Sequence, residues 1–192
     1  MIIVYGGTFN PPTKAHEEIA NLLIEKYNPE KFIFLPVGDS YTWKDNFVSF
    51  KHRKKMLKLV FNDEIFEINT LENKKRYKGT YWALNELKET HKSDVYFVMG
   101  ADNIEQLDKW INYEKLISEH NFIVLTREGY DPVKLIKEKF PENVKNFSVV
   151  EYHSEISSRK YRENTTLEHF LNEKVVSYIK GHNLYGGNDV KA

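Results

Sequence analysis

A double glycine, two prolines and a threonine–histidine pair connect the first predicted strand to the first predicted helix. The apolar segment 2–5 is followed by Gly-Gly-Thr-Phe-Asn-Pro-Pro-Thr-Lys-Ala-His, from residue 6 to residue 16. Glycine lets the backbone approach a phosphate closely. The start of the following helix directs N–H groups and the positive end of the helix dipole at an anion. The segment therefore predicts a phosphate-binding loop with a histidine at the helix entry.

This loop differs from two familiar phosphate-binding loops. No Gly-Lys-Ser/Thr follows it, as a P-loop would require. The G-x-G-x-x-G pattern of dinucleotide-binding folds is also missing. The alternative interpretation of the segment is a tight strand-to-helix turn with a histidine that is buried for structural reasons.

Near the carboxyl end of the chain, a serine–arginine cluster has the sequence Ile-Ser-Ser-Arg-Lys-Tyr-Arg from residue 156 to residue 162. Ser157 or Ser158 can cap a helix here, and capping alone is one explanation of the serines. Three cations in the first turn oppose the helix dipole, however, which suggests an anion to balance them. Hydroxyl groups, N–H groups and a bidentate arginine at residue 162 together suit a triphosphate.

The composition of the chain excludes several classes of protein. Its 192 residues suit one domain. The 28 basic and 28 acidic side chains cancel, which argues against a general nucleic-acid binder. The chain has no cysteine, no apolar segment approaching roughly 20 residues and no secretion signal, so we expect a cytoplasmic protein without disulfides or membrane spans. The histidines lack ligand spacing, so we expect no protein-bound zinc or iron.

Apolar segments typical of strands alternate with segments of helical periodicity. This alternation predicts an α/β fold, a Rossmann-like doubly wound parallel sheet in a single domain with helices on both faces. We expect the domain to cover residues 1–185, with a flexible tail at 186–192. Strands are predicted at 2–5, 32–35, 65–68, 95–99, 122–125 and 147–150, and helices at 15–27, 49–61, 81–91, 132–140 and 173–180.

Three polar clusters follow predicted strands. The first is the loop after residue 5, the second is Gly-Ala-Asp-Asn at 100–103, and the third is the serine–arginine cluster. Ligands of such sheets bind beyond the carboxyl ends of the strands, near the switch point of the strand order. We therefore expect the three clusters to meet around one anionic ligand.

In order and spacing, these motifs resemble bacterial nicotinate mononucleotide adenylyltransferases. Those enzymes belong to the nucleotidyltransferase superfamily with an H/T-x-G-H motif. The resemblance runs from Ile2 to about Tyr185 and rests on Gly-Gly-Thr-Phe-Asn-Pro-Pro-Thr-x-x-His, Met-Gly-Ala-Asp-Asn…Trp and Ile-Ser-Ser-x-x-x-Arg. It implies transfer of AMP from ATP to the 5′-phosphate of nicotinate mononucleotide, giving nicotinate adenine dinucleotide and pyrophosphate in NAD biosynthesis, with Mg²⁺ arriving on ATP.

The resemblance also implies roles for residues on the ATP side. His16 donates to the α-phosphate, and Thr13 replaces the first histidine of the motif. Arg162 acts with the two serines on the β- and γ-phosphates, and Asp102 contacts ribose hydroxyls. The remaining ATP contacts are implied for Gly6, Gly7, Thr8, Phe9, Gly100, Ser157 and Ser158.

On the acceptor side, the resemblance implies that Trp110 stacks on the pyridine ring. Thr80 and the backbone near Ile111 contact its carboxylate, while Asn10 and Lys44 approach the mononucleotide. Each has a structural alternative: Trp110 as core, Thr80 as a helix N-cap, and Lys44 as a solvated surface lysine. Asp102 can likewise cap the helix that it begins, and the basic segment 51–58 is interpreted as a solvated helix face.

Three departures from the family pattern leave alternatives open. Ala15 replaces the glycine before the histidine, Arg159 replaces a threonine, and Ile111 replaces an aromatic residue of some members. Selectivity between nicotinate and nicotinamide mononucleotide stays open, as do another phosphate-monoester acceptor and an inactive nucleotide-binding regulator. Oligomeric state is also open, and the polar segment 38–47 is a candidate mobile lid.

Overall fold

The computed structural model describes residues 1–40 and 47–186 of the chain. Every predicted strand and helix is present, most with ends shifted by one residue. The strands are β1 (Ile2–Gly7), β2 (Lys31–Pro36), β3 (Phe66–Ile68), β4 (Val95–Gly100), β5 (Asn121–Leu125) and β6 (Phe147–Val150). The helices are α1 (Lys14–Tyr27), α2 (Phe50–Val60), α3 (Thr80–His91), α4 (Tyr113–Glu119), α5 (Pro132–Lys139), α6 (Ser158–Glu163) and α7 (Glu173–Gly181). Three 3₁₀ segments lie at Ala101–Lys109, Pro141–Asn146 and Glu168–Phe170.

The strands form one six-stranded sheet in the order β3-β2-β1-β4-β5-β6. The pairs β1–β4, β4–β5 and β5–β6 are parallel, with Val4 opposite Phe97 in the first of them. The chain order changes direction between β1 and β4, which makes this the switch point where such sheets bind ligands at their carboxyl ends. The predicted doubly wound α/β fold is confirmed.

The central strands are apolar throughout because they are enclosed. Residues 2–4 of β1 and residues 122–124 of β5 have no exposed surface. Strands covered on both faces carry continuous apolar runs rather than alternating ones. No helix in the described part of the chain is long and apolar enough to cross a membrane.

Internal packing divides the chain into two compact units, which are described separately below. The first unit comprises residues 1–6, 29–33 and 78–153, and the second comprises 7–28, 34–77 and 154–192. In the second unit α2 and α7 share a core around Met56, Leu171 and Val175, none of which is more than 1% exposed. The predicted tail, apart from Gly186, lies outside the described residues.

His120, at the end of α4, makes the first unit sensitive to acid. Its side chain is buried, and Nε2 lies 3.1 Å from Oδ1 of Asn85. Burial, aided by Lys88, lowers the pKa of His120 from 6.5 to about 4. Because the unfolded chain binds this proton first, the stability that depends on the neutral imidazole is present above pH 6.5. It is lost as the pH falls through about 4.

We expect the urea concentration at the midpoint of unfolding to decrease as the pH is lowered from 6.5 to 4. The variant His120→Gln should show a smaller decrease. Glutamine keeps an N–H donor for Asn85 but has no proton to bind. The exposed His153 supplies the control, since His153→Gln changes an imidazole that is not buried. Identical pH profiles for the wild type and His120→Gln would contradict the prediction.

Candidate active site

The loop after β1, residues 7–13, is shaped by its own aromatic side chain. Phe9 is buried and has a left-handed backbone with φ of +49°. Its ring packs edge-on against Phe34, at 5.4 Å between centroids, and against His16, at 5.1 Å. A Cβ atom on Gly7 would lie 3.1 Å from the same ring, so glycine lets the loop close over Phe9. The side chain of Phe9 is therefore a core anchor, whatever its backbone contacts.

His16 is held by the residue that caps its helix. Thr13 precedes α1, and its backbone N–H donates to Nδ1 of His16 at 2.9 Å. The Thr13 hydroxyl lies 2.9 Å from the same nitrogen. Because a backbone N–H can only donate, Nδ1 must be the acceptor and the ring proton must reside on Nε2. The buried Thr13 thus orients the imidazole of His16 with Nδ1 as the acceptor and Nε2 as the N–H nitrogen.

The first and third motifs meet on this loop. Nη1 of Arg162 donates to the carbonyl oxygen of Asn10 at 2.6 Å, and Oγ of Ser158 donates to the carbonyl oxygen of Pro11 at 2.7 Å. The Asn10–Pro11 peptide bond is cis. Arg162 remains exposed, and partial burial lowers the pKa of its guanidinium without removing the charge at neutral pH. Ser157 caps α6 by accepting from the backbone N–H of Lys160, so the capping interpretation is confirmed for this serine.

Asn10 connects the loop to two other parts of the second unit. Its side chain is buried, and Oδ1 accepts from the backbone N–H of Val48 at 3.1 Å and from the hydroxyl of Tyr185 at 2.8 Å. The sequence predicts Asn10 as an acceptor contact. The structure gives its side-chain oxygen two partners within the protein.

The interpretation of the basic segment 51–58 as a solvated helix face is wrong at Arg53. Its side chain has no exposed surface. Nε donates to the carbonyl of Val48 at 2.9 Å, Nη1 to the carbonyl of Thr8 at 2.9 Å, and Nη2 lies 3.3 Å from Asp39. Position 53 falls on the apolar stripe of α2 with Phe50, Met56 and Leu57, which is the signal that would have identified it.

Arg159, the second departure from the family pattern, lies on the surface of α6. Its Nε is 2.9 Å from Oε1 of Glu163, one turn later, and its side chain is 82% exposed. The structure therefore gives this extra cation a carboxylate partner. Ala15, the first departure, is buried at the start of α1.

In the first unit, Asp102 and Arg127 form an ion pair over Gly100 at the end of β4. Oδ1 of Asp102 lies 3.0 Å from Nε of Arg127, yet it has no hydrogen-bond partner among the described residues. A Cβ atom on Gly100 would collide with Oδ1 and lie 2.7 Å from that Nε. Burial raises the pKa of nearby Tyr5 well above its usual range, while Arg127 acts to lower it. Gly100 thus makes room for the ion pair of Asp102 and Arg127 at the end of β4.

Trp110 and Ile111 follow the 3₁₀ segment of the first unit. Trp110 is partly buried, with its ring edge-on to Phe97 at 6.2 Å between centroids. A Cβ atom on Gly6 would lie 2.6 Å from the Phe97 ring. Ile111 is 45% exposed, and its Cβ lies 2.9 Å from where a Cβ of Gly79 would be.

Thr80 is buried and begins α3, next to the glycine that Ile111 contacts. The interpretation of Thr80 as an N-cap is wrong, because Gly79 occupies that position with φ of +91°. A backbone in this region favours glycine over a capping side chain. Ile111 therefore lies next to Gly79, the residue before Thr80, and the acceptor contacts of Thr80 and Ile111 stay predictions.

Lys44 and the rest of segment 41–46 lie outside the described residues, so the lid in 38–47 stays a prediction. The described residues before it are anchored. Oδ1 of Asp39 accepts from the backbone N–H of Phe50 at 2.7 Å, and the Ser40 hydroxyl donates to the carbonyl of Lys74 at 2.7 Å.

Residues 4–164 match the family model described as cytidylyltransferase-like. A probable nicotinate-nucleotide adenylyltransferase of Acholeplasma laidlawii is 40% identical over 191 residues, covering 96% of this chain and 97% of that protein. The probable enzyme of the same name from Listeria welshimeri is 34% identical, covering 95% and 96%.

Among solved structures, the Plasmodium falciparum nicotinic acid mononucleotide adenylyltransferase complexed with APC superposes with a TM-score of 0.79 at 25% identity, covering 97% of this chain and 98% of that one. The same enzyme complexed with NaAD gives a TM-score of 0.81 at 24% identity and the same coverage, and supports the fold. The chain belongs to the cytidylyltransferase-like family and, within it, to the nicotinate-nucleotide adenylyltransferases.

Proposed function

We propose that this enzyme transfers AMP from ATP to nicotinate mononucleotide, forming nicotinate adenine dinucleotide and pyrophosphate. One structural observation carries the proposal: His16, Ser158 and Arg162 all bond to the loop of residues 10–13. An imidazole donor and a guanidinium donor are thereby fixed on one short segment, as binding a polyphosphate requires. The relatives' name supplies the acceptor.

The reaction suits a site built from donors rather than from a nucleophile and a base. A 5′-phosphate oxygen of the mononucleotide attacks the α-phosphorus of ATP. The bond from that phosphorus to the bridging oxygen breaks, and pyrophosphate leaves with the electron pair. The attacking group is already an anion, so no residue has to remove a proton. Catalysis consists of alignment and of stabilising charge on the phosphoryl oxygens.

We assign the ATP side as follows. His16 donates from Nε2 to the α-phosphate, and Thr13 acts by holding the imidazole. Arg162 binds the β- and γ-phosphates, and the backbone around Gly7 and Thr8 contributes N–H groups. Ser157 can cap α6 through its oxygen and still donate its hydrogen to a phosphate.

Ser158 differs from its neighbour. Its hydrogen is donated to the carbonyl of Pro11, so donation to a phosphate would require it to leave that oxygen. We therefore propose that Ser158 shapes the contact between the third motif and the loop. Asn10 has a similar role, because its Oδ1 already accepts two hydrogen bonds.

For the nucleoside and acceptor groups we propose the residues of the first unit. The Asp102 carboxylate accepts from ribose hydroxyls, Trp110 stacks on the pyridine ring, and Thr80 with the backbone near Ile111 binds the pyridine carboxylate. Selectivity for nicotinate over nicotinamide then depends on neutral donors, and Lys44 stays a predicted contact of the mononucleotide.

Mg²⁺ enters on the phosphates of ATP in this proposal. In the described part of the chain, no group of three or more histidine, aspartate or glutamate side chains is arranged to hold a metal ion. Mg²⁺ is a hard cation that phosphate oxygens and water can bind without a set of protein ligands, and it would neutralise charge on the leaving pyrophosphate. We also propose a cytoplasmic location, which suits an enzyme that consumes ATP.

Pyrophosphate release with ATP, Mg²⁺ and nicotinate mononucleotide tests the proposal directly. Nicotinamide mononucleotide and a panel of other phosphate monoesters should be run in parallel, since the same chemistry serves other acceptors. Turnover with neither pyridine mononucleotide would refute the proposal. Calorimetric ATP binding without turnover would instead favour a nucleotide-binding regulator.

His16→Ala should lower kcat by roughly 10²–10³-fold, the scale for removing one donor to the charge that develops in a transition state. The exposed His153 gives a matched control, because His153→Ala removes an imidazole that is part of neither motif. Turnover near the wild-type rate in His16→Ala would show that this histidine is structural only.

Gly100→Ala should lower kcat/KM by about tenfold while changing the melting temperature little, since one lost polar contact corresponds to roughly 1 kcal/mol. The new methyl group would displace the ends of the Asp102 and Arg127 side chains, which can move without disturbing the strand. Gly181→Ala, where nothing lies within 4 Å, is the control. An unchanged kcat/KM for both substrates in Gly100→Ala would contradict the assignment of Asp102 to the site.

A further inference from the structure

The chain turns sharply after α7 at residues 182–185, which we name the C-terminal hook. Asn183 and Tyr185 both have left-handed backbones, with φ of +51° and +62°. Residues other than glycine rarely adopt this backbone conformation, so the surrounding contacts must hold the C-terminal hook in place. The backbone N–H of Leu184 donates to the carbonyl of Ile179 at 3.0 Å, and the Leu184 side chain is buried in the core shared by α2 and α7.

The C-terminal hook contacts Asn10, the residue to which Arg162 also donates a hydrogen bond. The hydroxyl of Tyr185 donates to Oδ1 of Asn10 at 2.8 Å, and its ring packs edge-on against Tyr161 at 6.0 Å between centroids. The backbone oxygen of the same Asn10 accepts from Arg162 at 2.6 Å. One residue of the loop therefore receives a hydrogen bond from the hook on its side chain and one from α6 on its backbone.

Two arginines act on the Tyr185 phenol. Burial raises the pKa of Tyr185 far above its usual range, while Arg162 and Arg53 act to lower it. The phenol is consequently a neutral donor at neutral pH. It can orient Asn10 without cancelling the arginine charge that a triphosphate requires.

We propose that Tyr185 is a positioning residue for the nucleotide site, acting through Asn10 on the orientation of Arg162. The inference rests on the proposed function, because it concerns the same phosphate-binding loop. Without the hydroxyl, Asn10 keeps its bond from Val48 but loses the one that links it to the C-terminal hook. The carbonyl that Arg162 binds is then less well fixed, and the guanidinium fork meets the phosphates in more than one geometry.

The matched pair Tyr185→Phe and Tyr178→Phe tests the proposal. Both variants delete one phenolic hydroxyl close to the carboxyl end of the chain, but the Tyr178 hydroxyl contacts α2, at 2.9 Å from Nδ1 of His52, rather than Asn10. We expect Tyr185→Phe to lower kcat/KM for ATP about five- to tenfold and to weaken ATP binding in calorimetry. Tyr178→Phe should stay within about twofold of the wild type, with both melting temperatures close to that of the parent.

The route through Arg162 is tested by repeating Tyr185→Phe in an Arg162→Lys background. Lysine keeps the charge but lacks the planar fork, so we expect the loss caused by Tyr185→Phe to shrink to about twofold. Equal effects of Tyr185→Phe in both backgrounds, or equal losses in the two phenylalanine variants, would overturn the proposal. An inactive wild type would refute the proposed function instead, and the calorimetric comparison would still decide the role of Tyr185.

Discussion

The second unit depends on one buried cation. The guanidinium of Arg53 lies over the ring of Phe47, at 4.7 Å from its centroid, and 5.6 Å from the centroid of Phe50, and it bonds to Thr8, Val48 and Asp39. Burying a charge costs several kcal/mol unless every donor finds an acceptor. Arg53 satisfies its donors only when the loop after β1, the residues after β2 and the approach to α2 all take one arrangement. The shape of the loop after β1 therefore depends on the hydrogen bonds that the buried Arg53 requires.

The groups proposed to touch phosphate are the outer ends of chains of hydrogen bonds whose inner ends are buried. Thr13 supports His16, and Asn10 supports Arg162 while being held by Val48 and Tyr185. A reaction that needs neither a covalent intermediate nor a base gains most from donors that are already aligned before the substrate arrives. Polar residues of this unit such as Thr13 and Asn10 accordingly orient other side chains rather than take part in the reaction themselves.

The sequence was sufficient for the sheet and for the meeting of the first and third motifs, because both follow from local signals. Apolar runs such as residues 2–5 and 95–99 are bounded by glycine, and each motif is contiguous. Asn10 and Tyr185 could not be placed in the same way. Asn10 accepts from Val48 and from Tyr185, which lie 38 and 175 residues away along the chain in loops with no periodicity of their own. The helical stripe of α2 indicates that Arg53 is buried, but it does not indicate Thr8 as a partner, 45 residues away. The prediction of Thr80 as an N-cap is wrong for a different reason. In the sequence Gly-Thr either residue can be the N-cap of α3, and only the backbone angle at Gly79 decides between them.

Two glycines of the motifs, Gly7 and Gly100, are required for space rather than for backbone flexibility. At Gly7 the missing side chain is replaced by the ring of Phe9, and at Gly100 by the carboxylate of Asp102. In both places a Cβ atom would occupy the volume that a neighbouring side chain of the same motif fills. A glycine and its neighbour therefore form one steric unit, and changing either should disturb the position of a proposed ligand-binding group before it disturbs the sheet. This coupling links the motif spacing in the sequence to the chemistry at the ends of β1 and β4.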